Sequence, residues 1–182
     1  MTQEAPRQPG NQEVGQQSKV EFYAPVTKYS ETLERLSSLS VVENPTNEDL
    51  FKAIADTFAT IATINFENGK NVILKGHQYR AEDWRETDDL QFSTKKLPRV
   101  YIGYCQPKEG ERVPEAAFIE GICDGAPRNS IFFEKSDNGS VNVYMLEGGK
   151  DEWTPYNIPV HEKKIIVGTL LEAMNSTQPV SV

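Results

Sequence analysis

SIFFEKSDNGSVNVYML, residues 130–146, decides the fold class. Two β-rich runs flank a polar joint, and Asn138-Gly139 at its centre is the strongest short hairpin signal, because both residues tolerate the positive φ that a two-residue turn requires. With those two residues as the turn, Phe133 is expected opposite Tyr144 and Ile131 opposite Leu146, on the side that carries Lys135 and Asn142. Phe132 is then expected opposite Met145, with Val141 and Val143 nearby. Both faces of the hairpin are therefore partly apolar, as in a sheet that is covered on one face and touched by something on the other.

Upstream, RVYIGYC (99–105) and EAAFIEGIC (115–123) are further short β-rich runs separated by Gly and Pro. Four such runs in succession predict an antiparallel meander. NVILK and HQYRA, on either side of Gly76, read as one more hairpin ahead of it.

The helical signals lie outside this β-rich half. PTNEDLFKAIADTFATIATI (45–64) places Thr46 and Asp49 in capping-box spacing. Leu50, Phe51, Ile54, Phe58, Ile61 and Ala62 then fall on one helical face. Lys52, Asp56, Thr57, Thr60 and Thr63 are expected mostly on the opposite side, so this helix should lie against a flat apolar surface and not inside a bundle. SETLERLSSL (30–39) predicts a shorter helix with Ser30 as N-cap and Leu33 and Leu36 inward. HEKKIIVGTLLEAMN (161–175) predicts a closing helix through Ile166, Leu170 and Met174, although Ile165–Val167 also has the composition of a strand start and Gly168 weakens a helix.

Together these give an α+β class: an antiparallel β-meander packed against a long amphipathic helix, with short flanking helices and disordered tails. Residues 1–20 are rich in Gln, Glu, Pro and Gly and cannot bury enough apolar surface to offset their ordering entropy, which predicts a disordered arm. A single domain is expected over 21–174 and a flexible C-terminal tail over 175–182.

Charge narrows the function. A formal net charge of −8 repels phosphate backbones, so a nucleic-acid partner is disfavoured. No apolar run approaches the roughly 20 residues of a membrane helix, and the first residues lack a basic, then apolar, export signal. These features predict a cytoplasmic protein with no membrane partner, in which the Asn138-Gly139-Ser140 and Asn175-Ser176-Thr177 triplets carry no glycan.

Two cysteines raise the question of a disulfide. If the strands around them pair through the intervening loop, Cys105 lies beside that loop and Cys123 at the far strand end, over roughly 20 Å away at about 3.3 Å per residue, against a limit of roughly 7 Å for bridging. Free thiols are expected. The chain contains no HExxH, CxxC, calcium-loop, P-loop, GxGxxG or GxSxG pattern, so no cofactor is called for and no catalytic residue is assigned.

GHQYRAEDWRETDD (76–89) is the one stretch dense in chemistry-bearing side chains. His77 with Glu82, Asp83, Asp88 and Asp89 could hold a divalent ion, or paired carboxylates there, Glu86 included, could cleave a sugar bond with Trp84 as a stacking platform. Against this, Arg85 sits among the acids and neutralises part of the cluster. Trp84 has a simpler use as a core anchor, and acidic runs between elements are usually solvated. The stretch is therefore expected to be an exposed acidic connection pinned by Trp84, with Trp84, Asp88 and Asp89 available to a partner. Tyr101, Tyr104, Phe132 and Tyr144 offer a further possibility, base stacking on single-stranded nucleic acid, which the charge opposes.

The expected function is that of a non-enzymatic protein-interaction or structural protein, such as an acidic adaptor, a chaperone or a component of a larger assembly. Its partner would be another protein or a second copy of itself. A carboxylate-based metal-dependent hydrolase is the alternative.

Overall fold

Leu50, Ile54, Phe58 and Ile61 recur at helical spacing, and each is 5 % exposed or less. They form the inner stripe of α2 (Asn47–Glu67), the second of three helices among the residues that the computed structural model describes, which are 29–67, 74–79, 85–105, 110, 114–122, 129–148, 150 and 152–177. The expected N-terminal signal is present in full. The Asp49 amide donates to Thr46 Oγ1 at 3.1 Å and the Thr46 amide to Asp49 Oδ2 at 3.2 Å, satisfying two backbone donors that the helix start would otherwise leave open.

α1 (Tyr29–Ser40) precedes α2, and α3 (Val160–Ser176) closes the chain. Ser30 lies inside α1, so it is not the cap that its composition suggested. Leu36 is buried and Leu33 partly so, as expected. In α3 the predicted stripe is observed: Ile166, Leu170 and Met174 are all fully buried. The helix runs on through Asn175 and Ser176, where a frayed tail was expected, and Thr177 completes it by donating from Oγ1 to the Ala173 carbonyl and from its amide to that of Met174. Residues 1–28 and 178–182, and with them the expected arm, lie outside the described residues.

Seven antiparallel strands follow one another in chain order: β1 (Leu74–Tyr79), β2 (Arg85–Phe92), β3 (Val100–Cys105), β4 (Ala116–Glu120), β5 (Ser130–Lys135), β6 (Val141–Leu146) and β7 (Trp153–Pro155). The α+β meander is thus the observed architecture. Two details differ from expectation. Gly76 is not a turn, because β1 runs through it and pairs with β2, with a register irregularity between Lys75 and Gln78. The β5–β6 register is also one residue away from the one a two-residue turn would give.

The turn chemistry explains that slip. The Ser136 amide donates to the Ser140 carbonyl at 2.8 Å and the Gly139 amide to the Ser136 carbonyl at 2.9 Å, leaving Asp137, Asn138 and Gly139 as a three-residue loop in which Gly139 has positive φ, at 86°. Asn138 Oδ1 accepts from the Ser140 amide at 3.0 Å and from Ser136 Oγ at 2.8 Å, which favours this loop over the tighter one. Phe133 consequently pairs with Val143, Phe132 with Tyr144 and Ile131 with Met145. A one-residue slip exchanges the faces of one strand relative to its neighbour. Val141 and Val143 therefore join Ile131 and Phe133 under the helices, and Tyr144 joins Phe132 on the far face.

The principal core lies between the sheet and the helices. Val100, Ile102, Ala117, Ile119, Ile131, Phe133 and Val143 lie on the strands that meet α2, Leu90 of β2 joins the same core, and α1 and α3 flank α2 and close the layer. A smaller second core occupies the far face, where Phe118 stacks on Phe132 at 5.1 Å and the Trp153 ring stands edge-on to Phe132 at 4.0 Å. Gly103, the cross-strand neighbour of Phe118, leaves room for its ring.

α2 is more enclosed than its pattern implied. Asp56, Thr57 and Thr60 were expected on a solvent side, yet all are buried. For Asp56 and Thr60 the reason is α1: Thr32 Oγ1 and Thr60 Oγ1 share a hydrogen bond at 3.0 Å, and the Arg35 guanidinium pairs with Asp56. Thr57 instead lies at helical spacing within the stripe of Leu50, Ile54 and Ile61, and its hydroxyl has no hydrogen-bond partner among the described residues. Polar residues on a helix signal solvent only when no second helix supplies their partners.

Candidate interaction surface

The stretch singled out by its acids does not form one site among the described residues. Glu82, Asp83 and Trp84 lie outside them. Asp88 and Asp89 are successive residues of β2, so they belong to opposite faces of the sheet: the register sets Asp88 beside Tyr104 and Asp89 beside Gly103. Asp89 is 1 % exposed. The exposed connection expected there is instead a paired strand, and Asp89 is inside it, not offered to a partner. His77 sits at the β1 irregularity, two strands from β3. Among the described residues no three His, Cys, Asp or Glu side chains are grouped so as to hold a metal ion.

The aromatic residues are likewise divided. Tyr101, Phe132 and Tyr144 share the far face, but Phe132 is buried beneath Trp153 and beside Phe118. Tyr104 is on the helix side, where it stacks on Phe58 and its hydroxyl donates to Glu115. They do not make a common stacking platform. Cys105 is buried in the far-face core, and Cys123 lies outside the described residues.

A surface that the sequence reading did not single out is better formed. Residues of α1, of the turn after it and of the first half of α2 line an open groove of about 250 Å³. Its apolar lining comes from Leu36, Leu39, Val42 and Ala53, and its polar lining includes Arg35 and Ser38 on α1 and Asp49, Lys52 and Asp56 on α2. Helical spacing puts these groups together: Arg35, Leu36 and Leu39 follow one edge of α1, Val42 lies in the turn beyond it, and Asp49, Lys52, Ala53 and Asp56 follow one edge of α2. Burial pushes the Asp56 carboxyl above the usual aspartate range, a rise opposed by the Arg35 guanidinium and the Lys52 ammonium.

The groove's rim is held from below. Lys163 of α3 donates to Asn44 Oδ1 at 3.0 Å and to the Pro45 carbonyl at 2.8 Å, anchoring the turn. Immediately before it, Val41 is 84 % exposed and Val42 42 %. Val160 and Ile165 are the other large aliphatic residues exposed among those described. The SSLSVVENP segment carried the signal: two adjacent valines in a polar turn have no interior of their own to enter.

No protein-family model, curated protein or solved structure matches this chain. Among the described residues, no helix is long and apolar enough to cross a membrane.

Proposed function

We propose that this chain is a non-enzymatic protein-interaction module whose contact surface is the α1–α2 groove and the valine turn beside it. The observation that carries this reading is the coincidence of an open apolar groove with a valine left 84 % exposed next to it. Aliphatic surface adjoining a groove lowers free energy when a second surface covers it, and such patches commonly mark contacts. At about 250 Å³ the groove lies near the lower end of the volumes typical of small-molecule pockets and has room for side chains of a partner. The adaptor, chaperone and assembly-component roles all share this requirement.

Site-specific photo-crosslinking tests the reading. A benzophenone amino acid at Ser38, an exposed groove position, is expected to give a discrete protein-sized adduct on irradiation in the native host. The same probe at the exposed far-face residue Asn142 should not. Absence of an adduct specific to Ser38 would sink the proposal.

A further inference from the structure

The tip of the β5–β6 hairpin carries a reactive pair that neither the core nor the α1–α2 groove uses. In Asn138-Gly139 the glycine nitrogen and the side-chain amide carbon of the preceding asparagine can close one small ring, which makes an otherwise slow attack intramolecular. Glycine at the second position has no side chain to crowd that ring, and a Cβ built at Gly139 would meet nothing within 4 Å. Asp137, Asn138, Gly139 and Ser140 are all exposed, so water reaches the pair. The other Asn-Gly of the chain, Asn68-Gly69, lies outside the described residues.

The donors gathered around the Asn138 side-chain oxygen set this pair apart from the same dipeptide in a free chain. Oδ1 accepts from the Ser140 amide at 3.0 Å and from the Ser136 and Ser140 hydroxyls at 2.8 and 2.7 Å. Negative charge develops on that oxygen when its carbonyl carbon is attacked. Donors already aimed at it stabilise the charged intermediate more than the neutral amide, as an oxyanion hole does. One contact opposes attack: the Gly139 amide donates to the Ser136 carbonyl at 2.9 Å, and this bond has to open first. A hydrogen bond in an exposed turn opens far more often than the core strands on either side of it.

We propose that Asn138 is a self-modification site, converted through a cyclic imide with Gly139 into aspartate and isoaspartate. The Gly139 nitrogen gives its proton to water and bonds to Asn138 Cγ. The tetrahedral oxyanion then collapses, the Cγ–Nδ2 bond breaks, and ammonia leaves with a proton taken from water. Water adds to either carbonyl of the imide and opens one of its C–N bonds, with no change of oxidation state. Opening at Cγ gives aspartate; opening at the main-chain carbonyl gives isoaspartate, which routes the backbone through the side chain and lengthens it by one carbon. Both products carry the chain one negative charge beyond its formal −8, beside Asp137. The lengthening falls in the loop whose Asn138 contacts fix the β5–β6 register, and the core packing of Val141 and Val143 leaves the loop to absorb it.

Incubation of the folded, full-length chain at mildly alkaline pH in water enriched in heavy oxygen tests this. Peptide mass spectrometry across residues 136–140 reads replacement of the amide by a carboxyl that carries the label. Label is expected to accumulate at Asn138, while Asn142, followed by the branched Val143 within β6, should lag at least about tenfold. Ser136→Ala and Ser140→Ala should each slow conversion at least about threefold in the folded chain, less than in a buried oxyanion hole because water already solvates the charge. In chains unfolded by urea, where the donors are no longer gathered, the same changes should leave the rate unaltered. Label confined to the unfolded chain would overturn the inference, and so would a folded-state rate indifferent to both serine changes. Should those changes disturb the hairpin, the parent chain decides by the presence or absence of label at Asn138 while folded.

Discussion

Gly103 shows how a single missing side chain sets the second core. A methyl group there would lie 1.8 Å from Cε1 of Phe118, well inside any allowed contact. The ring has no route of escape, since Phe118 is fully buried and stacked on Phe132, which Trp153 covers in turn. Gly103→Ala is therefore expected to destabilise the fold by about 1–3 kcal/mol, the usual consequence of adding volume to a packed interior. Urea unfolding with Trp fluorescence measures it. A loss below about 0.5 kcal/mol would mean that the ring shifts freely and that Gly103 is not the support of the far-face cluster.

Whole elements differ in how plainly the sequence announces them, and the difference has physical causes. α2 was legible because its cap, its stripe and its length agree: Thr46 and Asp49 close the helix start, and Leu50, Ile54 and Phe58 face the sheet. β3 to β6 were legible from β-branched and aromatic runs between turn residues. β2 was not, because RETDDLQF is mostly polar and only Leu90 and Phe92 report the side that meets the core. β7, three residues long, has too little pattern to be seen without its partner β6. The groove was hidden for a different reason: each wall belongs to a separate helix, and nothing local tells α1 how it will stand against α2. α3 supplies the test at this scale. Gly168 lies mid-helix, exposed, with open space where a Cβ would go. Gly168→Ala should stabilise the protein by about 0.5–1 kcal/mol by removing backbone freedom from the unfolded chain without a new clash. An unchanged or lower thermal midpoint would show that this face of α3 is covered by something that Ala obstructs.

At the scale of the molecule, the joint between α1 and α2 links global stability to pH. Asp56 is held between the two helices, its side chain 11 % exposed, beside Arg35. Desolvation raises its carboxyl above the ordinary value, and the attractions of Arg35 and Lys52 offset only part of that rise. A carboxyl whose pKa is higher folded than unfolded binds more protons in the native state across the interval between the two values. By linkage, this group's contribution to stability falls as pH increases through that interval, and the deficit is constant above it. Asp56→Asn cannot titrate. Its stability relative to the parent should therefore improve as pH rises from about 4, near the ordinary aspartate value, to about 7, even though loss of the Arg35 partner lowers it at every pH. The difference between the two unfolding curves isolates Asp56 from the other carboxylates, which titrate alike in both proteins. If that difference moved the other way, with the variant losing ground as pH increased, the Arg35 attraction would outweigh burial. The α1–α2 joint would then be fastened by its ion pair, with the carboxylate stabilising the fold in its charged form.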